Sequence, residues 1–195
     1  MSVSPPPVTG RGAPPSSVRN VSWRIARALV ALLLMASAPP SPHDEVLRLL
    51  ESSESLPREA DWAPLGPAAL PELLALIGNP GTPELQRTRA VAALAVVADT
   101  SASQRLQELL LAQETPAAVR AAAALAIGRR EGLGALPLLT PLLSDPNPRV
   151  RIAVARTLGR MGGAEARKAL EERLSLEEGP DVREALQQGL SDLEP

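Results

Sequence analysis

From Thr82 to Leu193 the apolar positions return at intervals of three and four residues, and the whole pattern restarts about every 32 residues. Three-and-four spacing marks one face of an α-helix. The pattern predicts four helices that share a phrase: TRAVAALAVV from Thr88, VRAAAALAIG from Val119, VRIAVARTLG from Val150 and VREALQQGLS from Val182. A start signal precedes each one, at Thr82-Pro83, Thr115-Pro116, Asn147-Pro148 and Gly179-Pro180. Proline suits the first helical position because an N–H there has no intrahelical partner, and a Thr or Asn before it can accept an orphan donor. The starts lie 33, 32 and 32 residues apart, and arginines at one place in the phrase, Arg89, Arg120, Arg151 and Arg183, lie 31, 31 and 32 apart. A fixed period of this size predicts stacked units, none of which can bury its apolar face alone.

Between the phrases the spacing predicts partner helices over 101–113, 133–144 and 164–177. Their stripes are Leu106, Leu109 and Leu110, then Leu136, Leu139 and Leu143, then Ala166, Leu170 and Leu174. Ser101 with Gln104 predicts a capping box, Gly162-Gly163 a turn, and Pro141 a late start or a bend. Upstream, LGPAALPELLALIGNP from Leu65 parallels LGALPLLTPLLSDP from Leu133, which predicts the partner helix of a degenerate earlier unit. Its first helix is expected from Asp44 to Glu51 behind a Ser41 cap, with a longer connection over 52–63. The last phrase sets Val182, Ala185, Leu186 and Leu190 against Arg183, Glu184, Gln187 and Gln188, the two-faced pattern of a terminal cap. The fold class that follows is all-α, an α-solenoid of about four and a half antiparallel helix pairs. An N-terminal helix and connection occupy 39–63, and the repeats with their capping helix occupy 64–195.

The stretch Asp145-Pro146-Asn147-Pro148-Arg149-Val150-Arg151, followed by Leu158-Gly159 and Met161-Gly162, resembles the HEAT repeat. The short period is similar to that of the phycobilisome-lyase HEAT-like subgroup. The likeness covers residues 44–193, most fully from 82 onward. It implies helix pairs stacked into a right-handed superhelix, with second helices lining a concave face that commonly binds proteins. Exposed positions assigned to such a face by helical phase are Gln104, Glu108, Lys168 and Glu172.

Composition sharpens this picture in two places. Leu and Ala dominate, Phe, Tyr and Cys are absent, and Trp23 and Trp62 are the only aromatics, which favours close-packed helices over a sheet. Nineteen of twenty basic residues are Arg, which reads as the coding bias of a GC-rich genome. Residues 1–38 hold four Arg and no acid, whereas residues 39–195 hold sixteen basic and twenty-two acidic residues, a net charge of minus six. A body of that charge offers no continuous basic stripe, so nucleic acid is not the expected partner.

Residues 2–17 are Pro, Ser and Gly rich without period and predict a disordered leader. Arg19, Arg24 and Arg27, an apolar run Ala28–Ala36 and Ala36-Ser37-Ala38 then match the three regions of a secretory signal over 19–38. The eleven residues Ala28–Ala38 rise about 16 Å as a helix against a hydrocarbon core of about 30 Å, so no stable membrane span is expected. Periplasmic or secreted localisation follows; the alternative is a cytoplasmic chain that keeps its leader.

Residues able to do chemistry are few. His43 is the sole histidine and there is no cysteine, so no metal ligand set, catalytic triad or thiol nucleophile assembles, and no cofactor is expected. Glu171-Glu172 and Glu177-Glu178 read as solvated faces, with Arg167–Glu171 and Lys168–Glu172 as surface pairs four apart. The arginine ladder reads as structural, pairing with carbonyls or with acids such as Glu114 and Asp145 in neighbouring turns. Arg129-Arg130 sits late in its helix and faces the negative helix end. Trp62 is expected to pack the N-terminal cap. The function expected is a non-enzymatic protein-binding or scaffolding module. The alternative is an accessory subunit of an enzyme or lyase complex whose chemistry a partner supplies.

Overall fold

The computed structural model describes residues 40–51 and 58–193. The leader 1–38, with its signal-like segment and Trp23, lies outside the described residues, as do 52–57 of the expected connection. The described residues are helical and contain no strand.

Helix α1 spans Pro42–Glu51, and Ser41 Oγ accepts the Asp44 N–H at 3.2 Å, which supplies the expected cap. The short α2, Glu59–Trp62, runs through a 3-10 stretch, Ala63–Ala68, into α3, Ala69–Gly78. Then follow α4, Glu84–Leu94; α5, Ala102–Leu111; α6, Ala117–Glu131; α7, Leu136–Leu139; α8, Pro148–Met161; α9, Ala164–Leu176; and α10, Pro180–Ser191. Pairing α1 with α3, α4 with α5, α6 with the 132–144 segment and α8 with α9 leaves α10 as the closing half unit.

Local chemistry differs from expectation at three places. Pro148 and Pro180 do open their helices, and Asn147 Oδ1 accepts the Arg149 N–H at 3.0 Å. Pro83 and Pro116 instead occupy the cap position, with ψ of 144° and 137°, so Thr82 and Thr115 fall outside and cap nothing. The Ser101–Gln104 box does not form. Asp99 lies two residues upstream, and its Oδ1 takes both the Ser101 N–H at 2.8 Å and the hydroxyl at 2.6 Å, while Ser101, at the cap position, already has helical backbone angles. The 133–144 helix is broken into 3-10, α and 3-10 pieces, Gly132–Ala135, Leu136–Leu139 and Thr140–Ser144, because Pro137 and Pro141 each remove a helical donor.

Helices α4, α6, α8 and α10, which carry the arginine phrase, pack side by side as one layer, and α3, α5, the 132–144 segment and α9 flank them as a second. Small residues set the spacing of the first layer. A Cβ on Gly159 would lie 2.5 Å from Gly189 Cα, so α8 and α10 touch backbone to backbone where only glycine fits. The turn from α8 to α9 uses Gly162 and Gly163 at φ of 82° and 94°, a region that β-carbons resist. One continuous apolar core runs from Val46 in α1 to Leu186 in α10, and Trp62 is buried near its N-terminal end.

Candidate functional site

A hollow with a volume of about 690 Å³ opens on the arginine layer. Its floor is Ala92 of α4, Ala122, Leu125 and Ala126 of α6, and Met161 of α8; Arg89, Arg129 and Arg160 stand around it. No carboxylate lines it.

An ion pair spans the layer at the end of this hollow. Arg149 Nη2 of α8 meets Glu84 Oε1 of α4 at 2.9 Å, although α6 lies between these helices. Glu84 is one turn before Thr88 and Arg149 three turns before Arg160, two residues of the hollow, so the pair lies on the same face and bridges one end of it. The pair thus closes one end of the hollow on the arginine layer.

The residues assigned to a binding face by helical phase lie away from this hollow. Gln104, Glu108, Lys168 and Glu172 are exposed, but they stand on α5 and α9 in the other layer, and none lines the hollow. Within α5, Gln104 Nε2 donates to Glu108 Oε1 at 2.9 Å and Arg105 Nη1 to Oε2 at 2.7 Å; these bonds, Arg105's foremost, hold the Glu108 carboxyl below its usual range. Lys168 and Glu172 stand 3.8 Å apart beside a smaller recess of about 380 Å³ between α9 and the 136–141 segment. The two pairs do not meet each other.

The four ladder arginines converge on one task, holding carbonyls at helix C-terminal ends, where the last turn leaves oxygens without intrahelical donors. Arg89 Nη1 donates to Leu50 O at 2.7 Å, and Arg120 Nε to Leu110 O at 3.0 Å. Arg151 Nη1 donates to Asp145 O at 2.9 Å, and Arg183 Nη1 to Leu174 O at 3.0 Å and Glu177 O at 2.8 Å. Two of the four also reach a carboxylate in the next turn. Arg120 forms a two-pronged pair with Asp145, and both are buried. Arg151 sends Nε and Nη2 to the two oxygens of Glu177 at 2.9 and 3.0 Å. Glu114 takes no such bond among the described residues.

Sequence reasoning missed three members of this scaffold. Glu177, read with Glu178 as a solvated face, is buried. Burial pushes its carboxyl up, but bonds from Arg151, Arg173 and the Gly179 N–H outweigh that and bring it down to about 2. Arg130 donates from Nη1 to Leu94 O and Val97 O, from Nη2 to Asp99 O, and from Nε to Ser103 Oγ, closing the end of α4 rather than that of its own helix. Arg167 reaches Leu193 O at 2.9 Å and makes no bond to Glu171.

His43 Nδ1 lies 3.0 Å from Glu72 Oε2 on the surface. Among the described residues no three His, Cys, Asp or Glu side chains cluster as a metal site would need, and no helix is long and apolar enough to cross a membrane.

The family model for HEAT repeats matches residues 110–191, which span α6 to α10. That stretch is similar to HEAT repeats, in agreement with the stacked helix pairs described above. No curated protein matches the chain.

Proposed function

We propose that the chain is a non-enzymatic protein-binding module and that its partner sits in the hollow of the arginine layer. The observation that carries this reading is the hollow itself, an open apolar floor of Ala, Leu and Met in a stack whose other large apolar side chains are mostly buried. HEAT repeats generally mediate protein–protein interaction, which points the same way. One exposed histidine and no cysteine leave little for catalysis to use. Assignment to the phycobilisome-lyase HEAT-like subgroup rests on the short period alone.

A photo-crosslinking residue placed at Ala122, in the hollow, and at Lys168, on the other layer, tests the reading in cells that encode the protein. A discrete crosslinked protein from position 122 and none from 168 supports it. No crosslink from 122, or the same products from both positions, overturns it.

We infer export from the charge and apolar order of residues 19–38. N-terminal mapping of the native protein tests this: a mature chain starting after Ala38 is the expected result, and retention of residues 2–38 excludes it.

A further inference from the structure

We propose that the hollow takes an amphipathic helical segment whose apolar side is flanked by carboxylates; this rests on the reading of the hollow as the protein-binding face. The lining specifies both halves of that chemistry. Its floor is apolar, and three guanidiniums, Arg89, Arg129 and Arg160, border it with no carboxylate among the lining residues. Arg89 is held by the Leu50 carbonyl, but Arg129 and Arg160 are exposed and donate to no group among the described residues. The remainder of the body carries the opposite balance, with acids outnumbering bases from residue 39 onward. Two unpaired cations beside an apolar surface in an otherwise acidic molecule mark a place where negative charge is accepted.

The backbone of the occupant follows from the same lining. Methyl and methylene groups make up the floor, and its helices keep their own N–H and C=O groups, so a segment lying on it must satisfy its own backbone. A helix does so. Three helices abreast span about 16–20 Å, which matches about 11–13 residues of a bound helix at 1.5 Å each. The chain's own residues 1–38 do not fit, because they bring four more arginines and no acid. A nucleic acid fits less well, since the lining offers no aromatic ring for base stacking and its cations do not form a continuous track.

Two synthetic 14-residue helical peptides with identical leucines at i, i+3, i+7 and i+10 test this on the full chain, one flanked by Glu and the other by Lys. The Glu peptide is expected to bind at least about tenfold more tightly, the preference shrinking as salt is raised. The double variant Arg129→Glu, Arg160→Glu is expected to erase that preference, and Arg129→Gln, Arg160→Gln to halve its logarithm, with unchanged helical dichroism in each. Equal binding of both peptides, binding of neither, displacement by a single-stranded oligonucleotide, or a preference that survives the double variant overturns the proposal. A discrete crosslink from position 122 together with any of those outcomes means that the hollow binds protein of another chemistry. Absence of that crosslink removes the protein-binding reading itself.

Discussion

Arg120 and Asp145 form a two-pronged ion pair buried at the junction of successive units, with 3% and 4% of their surfaces exposed. Both ends are tied further, Arg120 Nε to Leu110 O and Asp145 Oδ1 to the Asn147 N–H. A buried pair gains little over apolar packing, but removing one partner strands the other charge away from water. Arg120→Met and Asp145→Leu are each expected to cost about 3–5 kcal/mol. The double substitution is expected to cost less than either alone. Urea unfolding of the three variants gives the coupling directly, and strictly additive losses would show that the two residues act independently.

Glu177 gathers Arg151, Arg173 and the Gly179 N–H around one carboxylate. Its folded-state pKa, about 2, lies below its ordinary value of 4.5. A depressed carboxylate stabilises the fold fully above the ordinary value, and the contribution is lost as pH falls from about 4.5 through about 2. Glu177→Gln is expected to lower stability at pH 7 by about 2–3 kcal/mol and to flatten the pH dependence across that acid window. Thermal unfolding of both proteins between pH 7 and pH 2 checks it. A constant difference across the range would place the effect in packing.

Gly159 and Gly189 let α8 and α10 meet backbone to backbone. A methyl on Gly159 would sit 2.5 Å from Gly189 Cα and 2.7 Å from its carbonyl oxygen, atoms that no rotamer change can move. Gly159→Ala is therefore expected to destabilise by about 2–3 kcal/mol despite its better helix propensity. Gly78→Ala, where the added carbon meets nothing within 4 Å, is the matched control. It is expected to be neutral or to stabilise by about 0.5 kcal/mol.

Features held by neighbours in the chain were legible from sequence, and those that depend on distances between units were not. The helices of the arginine layer fall where the apolar period and the prolines put them, because both signals act within one turn. The Ser101 box failed to a competitor two residues away, Asp99, whose Oδ1 takes both the N–H and the hydroxyl of Ser101. Glu177 could have been found by register. It stands three residues before Pro180 as Asp145 stands three before Pro148, and in the unit before them that place holds Gln113, which explains why the expected acid at the Arg89 step is missing.

Arg130 offers the sharpest separation between the two neighbours of a doublet. Its guanidinium reaches three carbonyls, Leu94 O at 3.1 Å, Val97 O at 2.9 Å and Asp99 O at 2.6 Å, and its Nε reaches Ser103 Oγ at 3.0 Å. A planar fork can serve such a spread of acceptors at once, whereas an ammonium can serve one or two. Arg130→Lys is expected to cost about 2 kcal/mol, and Arg130→Met somewhat more. The loss is expected to be local: amide exchange across residues 95–101, the turn between α4 and α5, should accelerate far more than in α8. Arg129→Met touches no such bond and should leave stability within about 0.5 kcal/mol of the parent. Equal exchange rates in Arg130→Lys and the parent over 95–101 would remove Arg130 from the scaffold and leave the closure of α4 to the Asp99 turn alone.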